Sequence, residues 1–267
     1  MLKDITLGQF FPGNSVVHRM DPRSKLIATL LYIVILFSAR SFISYGLTAV
    51  LLLLSIAVSG VTIKMLVKGL KPVLFILCFT AVLNIFYTSG EVLWQWKFLT
   101  LTKEGLITAF FMVIRIIMLI MGTFLLTYTT SPIALTDGLE SLLSPLKRIR
   151  VPIHELAMMM SIALRFIPTL IEETDKIMSA QKARGADFES GSLMERAKAL
   201  IPILVPLFVS AFRRADELAV AMECRCYNGG EGRTKLRVFH YRRLDYLALS
   251  LFVGILAAVL VLAHFGW

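Results

Sequence analysis

Only three cysteines and four histidines occur in 267 residues, and they do not cluster. His18, His154, His240 and His264 are scattered and form no ligand set. Cys78 lies in an apolar run and reads as packing. Cys224 and Cys226 flank Arg225, but no second pair stands at metal-ligand spacing, so they read as small residues beside an arginine. The glycine-lysine P-loop is missing, and Gly229-Gly-Glu-Gly232 lacks both the lysine and the flanking strand. Neither H-E-x-x-H nor G-x-S-x-G occurs. No enzyme motif, cofactor site or metal site is therefore expected. Residues 1–23 hold no apolar stretch like a leader's hydrophobic region, so no secretory signal is expected there. Charged residues make up only 17%, yet the net charge is +10. No aromatic-basic platform accompanies that charge, so nucleic acid is not expected as a partner.

Apolar residues are abundant instead, at 57% with a mean hydropathy of +0.76. Soluble domains usually hold about 45–50% apolar residues. Several runs are long enough to cross a bilayer. The expected fold is an all-α polytopic membrane protein with about five transmembrane helices and about three amphipathic cytoplasmic helices. Asp21 suits a helix N-cap and Pro22 the first helical position, opening a span over 22–37. Further spans are expected over 42–61, 72–87, 105–129 and 244–264. Lys64, Lys68 and Lys71 place 62–71 in the cytoplasm by the positive-inside rule. Trp94 and Trp96 suit an outer interfacial loop over 88–103. Arg115 is the clear ionisable group within a span, and it should face protein or water. A place on a transport path and a structural bond to neighbouring helices both fit it.

From 131 to 243 the chain is amphipathic and carries 17 Lys/Arg and 13 Asp/Glu. The expected division is 1–130 with four spans, 131–243 in the cytoplasm and 244–267 as the last span. Helices are expected over 132–145, 153–184 and 192–225, with Pro168, Pro202 and Pro206 kinking or dividing the last two. The apolar stretches 156–170 and 200–212 read as short, proline-broken helices at or partly within the inner surface. This topology leaves the N-terminus inside and the C-terminus outside.

One pattern occurs twice in this region. Asp175-Lys-Ile-Met-Ser-Ala-Gln-Lys-Ala-Arg184 is followed by Gly185, and Asp216-Glu-Leu-Ala-Val-Ala-Met-Glu-Cys-Arg225 by Cys226. Each reads as a helix end, and the turn residues Gly185-Ala-Asp187 and Asn228-Gly-Gly230 stop it. Arginine at a helix C-terminus is favourable on local grounds, by about 0.3–1 kcal/mol when exposed. Local capping alone does not call for small residues on both sides. Ala183 with Gly185, and Cys224 with Cys226, would let another backbone approach each guanidinium. Docking into two equivalent sockets and simple capping both remain open on the residues alone.

The stretches Pro12-Gly13, Ser15, and His18-Arg-Met-Asp-Pro-Arg-Ser-Lys-Leu26 stand near the start. Ala163-Leu-Arg-Phe-Ile-Pro168 and Ala180-Gln-Lys-Ala-Arg-Gly185 lie in the amphipathic region. Ala211, then Arg214-Ala-Asp-Glu-Leu218 and Ala221-Met-Glu-Cys-Arg-Cys226, close it. In this order and spacing the chain resembles the transmembrane T component of energy-coupling factor (ECF) transporters, a group that includes the permease subunit of cobalt and nickel importers. The resemblance implies two coupling helices whose x-Arg-x tips dock into grooves on two ABC-type ATPase subunits. Ala183-Arg184-Gly185 fits the first tip. Cys224-Arg225-Cys226 keeps the arginine and the small size of the second but loses its glycine. Arg165, Pro168, Asp175, Asp216 and Glu217 are the implied supporting positions on those helices. A membrane-embedded substrate-binding S subunit, carrying a vitamin or other micronutrient, is the further partner implied. The chain itself would then be non-catalytic, with ATP hydrolysis on its partners. A self-contained secondary transporter using Arg115, and a membrane enzyme working within 131–243, are the competing readings.

Overall fold

The computed structural model describes residues 10–88, 91–96, 99–188, 190, 192–230 and 238–265. Eight α-helices dominate it: α1 (Pro22–Ser38), α2 (Phe42–Ser59), α3 (Ile63–Tyr87), α4 (Lys103–Thr129), α5 (Pro132–Leu143), α6 (Ile153–Ala183), α7 (Leu193–Cys224) and α8 (Arg243–His264). A two-stranded antiparallel hairpin, β1 (Val92–Trp96) and β2 (Leu99–Thr102), joins α3 to α4. A 3-10 turn, Ser144–Ile149, follows α5. The chain divides into two compact units, one from Gly8–Leu139 with Phe239–Trp267 and one from Glu140–Val238.

Local chemistry sets the helix ends of the first unit. Asp21 caps α1 by accepting from the Arg23 N–H at 2.9 Å, with Pro22 in the first turn as expected. Ser41 caps α2, and Gly60 ends it at φ +69°. Thr102 caps α4 by accepting from Gly105 N–H, and its own hydroxyl donates to the Thr88 carbonyl at 2.7 Å. The core gathers Tyr32, Ile35 and Leu36 from α1 and Leu51, Leu52 and Ile56 from α2. Leu66 from α3, Met118, Leu125 and Tyr128 from α4 and Val259 from α8 join them. At the α1–α4 contact, Gly122 lies flat against the Tyr32 ring, and the Tyr32 hydroxyl donates to the Met118 carbonyl at 2.9 Å. Large apolar side chains also face outward, among them Phe75, Ile76 and Phe79 on α3 and Leu247, Leu251 and Leu260 on α8. Lipid is the solvent that makes such a surface favourable.

Among the described residues, five helices are long and apolar enough to cross a bilayer: α2, α3, α4, α6 and α8. Four of them, α2, α3, α4 and α8, overlap expected spans, and α6 lies in the expected cytoplasmic region. The expected span at 22–37 is α1, whose 17 residues rise about 26 Å, at the short end of the lengths that cross a bilayer. It is packed against α8, α4 and α2. The stretch 156–170, expected as a short broken helix, is part of the continuous 31-residue α6. Pro168 does not divide α6, and Pro202 and Pro206 do not divide α7. A proline removes one ladder hydrogen bond, and a long helix packed on neighbours tolerates that loss. Similarly, Lys64, Lys68 and Lys71 are not in a loop before a span. They belong to α3, which starts at Ile63 and carries Pro72 inside it.

The interfacial role expected of Trp94 and Trp96 rests on side chains outside the described set. Much of the expected basic loop, residues 231–237, and residues 1–9 also lie outside it.

In the second unit, α6 and α7 pack on each other. Ser192 and Glu195 form a reciprocal capping box at the start of α7, which satisfies two N-terminal donors. His154 on α6 is paired with Glu140 at 3.0 Å.

Candidate functional site

The two arginine-tipped helix ends have one geometry. Arg184 is the C-cap of α6 at φ −86°, ψ 5°, and Arg225 is the C-cap of α7 at φ −95°, ψ 15°. The next residue turns left-handed in both, Gly185 at φ +87° and Cys226 at φ +56°. Ala186 N–H bonds the Gln181 carbonyl at 3.0 Å and Gly185 N–H the Lys182 carbonyl at 3.0 Å. At the other tip, Tyr227 N–H bonds the Met222 carbonyl at 3.0 Å and Cys226 N–H the Glu223 carbonyl at 2.9 Å. These paired bonds form a Schellman motif at each end. Such a motif satisfies the last carbonyls through the backbone, so neither arginine side chain is needed as a cap. Ala183, Arg184, Gly185, Cys224, Arg225 and Cys226 are all exposed. A side chain added at Gly185 would meet open space.

The second stop lies earlier than the sequence suggested. Asn228-Gly-Gly230 is the visible turn signal, yet Cys226 already makes the left-handed turn. A non-glycine there costs about 1–2 kcal/mol, which the two closing hydrogen bonds offset. Sequence rules place glycine or asparagine at such a position, so a cysteine hides the stop.

Among the supporting positions, Arg165, Pro168, Asp216 and Glu217 are exposed and Asp175 is half-buried. Asp216 lines an open hollow of about 600 Å³ with Val205, Phe208, Val209, Phe212 and Arg213. The structure joins α6 to α7 through other residues. Arg214 pairs with Glu173 at 2.8 Å, and the Ser210 hydroxyl donates to the same carboxylate. Beside this junction, Ile162, Phe166 and Leu170 of α6 and Ala211, Ala215, Leu218 and Met222 of α7 line a cleft of about 260 Å³. Positions before Glu173 on α6 thus lie along positions after Ser210 on α7, so the two helices run in opposite senses past the junction.

In the first unit, Arg115 has structural partners. Its Nε donates to the Tyr45 hydroxyl at 2.8 Å, and Nη2 donates to the Ala39 carbonyl at 3.2 Å. The guanidinium also lies 5.8 Å from the Phe37 ring centroid and 5.7 Å from that of Tyr45. Ala39 caps α1, so the cation sits at a helix C-terminus, where the helix dipole favours it. A buried cluster that sequence reading missed lies elsewhere in this unit. Asp245, fully buried on α8, accepts from Asp21 N–H at 3.0 Å, from Ser24 Oγ at 2.6 Å and from Arg242 N–H at 2.7 Å. Lys25, next to it, donates to the Thr129 carbonyl at 2.9 Å. An aspartate at the start of an apolar span was the available signal, since a charge there needs partners.

Residues 13–236 match the family model described as Cobalt transport protein. The chain is 56% identical over 269 residues to the energy-coupling factor transporter transmembrane protein EcfT of Clostridium kluyveri, covering 100% of this chain and 99% of that one. It is 52% identical over 264 residues to the EcfT of Ruminiclostridium cellulolyticum, with 99% of each chain covered. The chain belongs to this family. A third EcfT, from Bacillus subtilis, is 49% identical over 264 residues, covering 98% of this chain and 97% of that one. Membership in the ECF T-component family makes the chain a multi-pass membrane component of a transporter, in keeping with its five helices of crossing length. The matched residues 13–236 take in both Schellman tips and the Glu173–Arg214 junction.

Proposed function

We propose that this T-component chain is the coupling subunit of an ECF-type importer. The tips carrying Arg184 and Arg225 enter grooves on two ABC-type ATPase subunits, and α6 and α7 pass the ATP-driven motion to a membrane-embedded S subunit. That subunit then releases a vitamin or other micronutrient inward. The chain needs no catalytic group of its own in this scheme, and ATP hydrolysis belongs to its partners. The carrying observation is the pair of matched tips. In each, the backbone caps itself and leaves an exposed arginine between small neighbours, free to give its planar fork of donors to a partner's carboxylates or carbonyls. The proposed topology takes α1, α2, α3, α4 and α8 as the spans and leaves α6 and α7 on the cytoplasmic side, which keeps the N-terminus and 131–243 in the cytoplasm and the C-terminus outside, in line with the positive-inside rule.

A second form of the reading has its own support. The matching family model is described as Cobalt transport protein, which suits the permease subunit of a dedicated cobalt or nickel importer. A self-contained secondary transporter is disfavoured, because Arg115 is engaged with Tyr45 and the end of α1. The test replaces Arg184 and Arg225 with glutamate together and follows co-purification and ATP-driven uptake. The expected outcome is loss of the ATPase subunits, or ATP hydrolysis without uptake. Normal assembly with uptake at the parent rate would overturn the proposal.

A further inference from the structure

The two tips lie 41 residues apart, and the same offset relates the helices behind them. Shifting α6 by that offset lays Asp175 on Asp216, Thr169 on Ser210, and the acidic pair Glu172-Glu173 on the basic pair Arg213-Arg214. Glu173 therefore bonds its own counterpart, Arg214. A residue that touches its equivalent across a two-fold relation lies on the axis. The opposite senses of α6 and α7, set by the cleft residues beside the junction, are those a two-fold axis across the helices requires. Glu173 stands eleven residues before Arg184, and Arg214 stands eleven before Arg225. At 1.5 Å per residue each arm extends about 16.5 Å from the junction, which separates the tips by about 33 Å along the helix direction.

We infer that the Glu173–Arg214 pair, steadied by Ser210, is the pivot of the two arms and sets the distance between the arginine tips. The chemistry suits a pivot. Two like residues at the axis would repel or leave a donor unmatched, whereas an acid on one copy and a base on the other attract. Both side chains are about a quarter to a third exposed, so the pair is not locked in a dry core and the arms can turn about it. The Ser210 hydroxyl bonds the second carboxylate oxygen and holds the carboxylate plane. Glu173 and Arg214 are positioning residues and act through the tips. The consequence for ATP coupling rests on the docking reading above, but the distance claim does not.

The test labels Ser179 and Val220, exposed equivalents on the two arms, with spin labels on cysteine in the full chain whose Cys78, Cys224 and Cys226 are serine. Double electron–electron resonance in lipid nanodiscs reads the arm-to-arm distance without any ATPase present. Glu173→Arg and Arg214→Glu are each expected to shift or broaden that distance by several Å, and the double exchange to restore it. An unchanged distance in both single variants, or a double exchange no better than either, overturns the pivot. The same exchanges in the native-cysteine chain, assembled in cells, are followed by uptake per ATP hydrolysed. Single reversals are expected to lower that ratio about tenfold and the double exchange to return it to within about threefold. A distance that responds while the ratio stays normal upholds the pivot and sinks the docking reading instead.

Discussion

Cys226 and Gly185 occupy the same left-handed position at two helix ends, and only one of them suits it. A side chain at φ +56° crowds the neighbouring carbonyl, while glycine does not. Cys226→Gly is expected to hold the α7 tip more firmly by about 1 kcal/mol, and Gly185→Ala to loosen the α6 tip by about the same. Hydrogen exchange at the Tyr227 and Ala186 amides checks this. Protection at Tyr227 should rise about fivefold in the first variant, and protection at Ala186 should fall about fivefold in the second. An equal response at both amides in either variant would mean the tips are not separate local units. The arginines themselves were plain in the sequence because the repeat marks them. The stop at Cys226 was not, because it depends on a backbone angle rather than a turn-forming residue.

Gly122 is the contact on which the packing of α1 against α4 depends. A Cβ there would enter the Tyr32 ring, whose hydroxyl is tied to the Met118 carbonyl four residues earlier on α4. Gly122→Ala therefore forces the helices apart or the ring off its rotamer, an overpacking cost of about 1–3 kcal/mol. A lower melting temperature for the purified chain in detergent is the expected reading. Tyr32→Phe in the same background would restore little, since the clash is with the ring and not the hydroxyl. Helix type and approximate extent were legible here, because 25-residue apolar runs with caps leave few alternatives. The prolines divide none of these helices. Pro72, Pro168, Pro202 and Pro206 all sit inside continuous helices. Proline rules price one residue at a time, whereas a helix of 25 to 32 residues loses one bond among many.

Asp245 closes the first unit on itself, joining the start of α8 to the start of α1 across 224 residues of sequence. It takes three hydrogen bonds in a fully buried site beside the Lys25 ammonium. Asp245→Ala leaves the buried Asp21 N–H without its acceptor and takes a nearby carboxylate from the Lys25 ammonium, at an expected cost of about 1–3 kcal/mol. Expression and thermal stability of the whole chain in the membrane should fall sharply, and Lys25→Met added to it should recover part of the loss. A stable single variant would show that water reaches the cluster. The division into two units has a physical counterpart here, since this network belongs wholly to one and the Glu173–Arg214 junction wholly to the other.

The sequence by itself determined an all-α membrane protein, the start of α1 at Asp21-Pro22, and the two exposed arginines at matched helix ends. Those features are written locally, in apolar run length, capping residues and a repeat. Only the tertiary structure decided what Arg115 holds, that Asp245 is a buried hub, and that Glu173 meets Arg214. Each of these joins residues tens to hundreds apart in the chain. A polar side chain's partner is set by where helices cross, and neither hydropathy nor spacing along one helix encodes a crossing point.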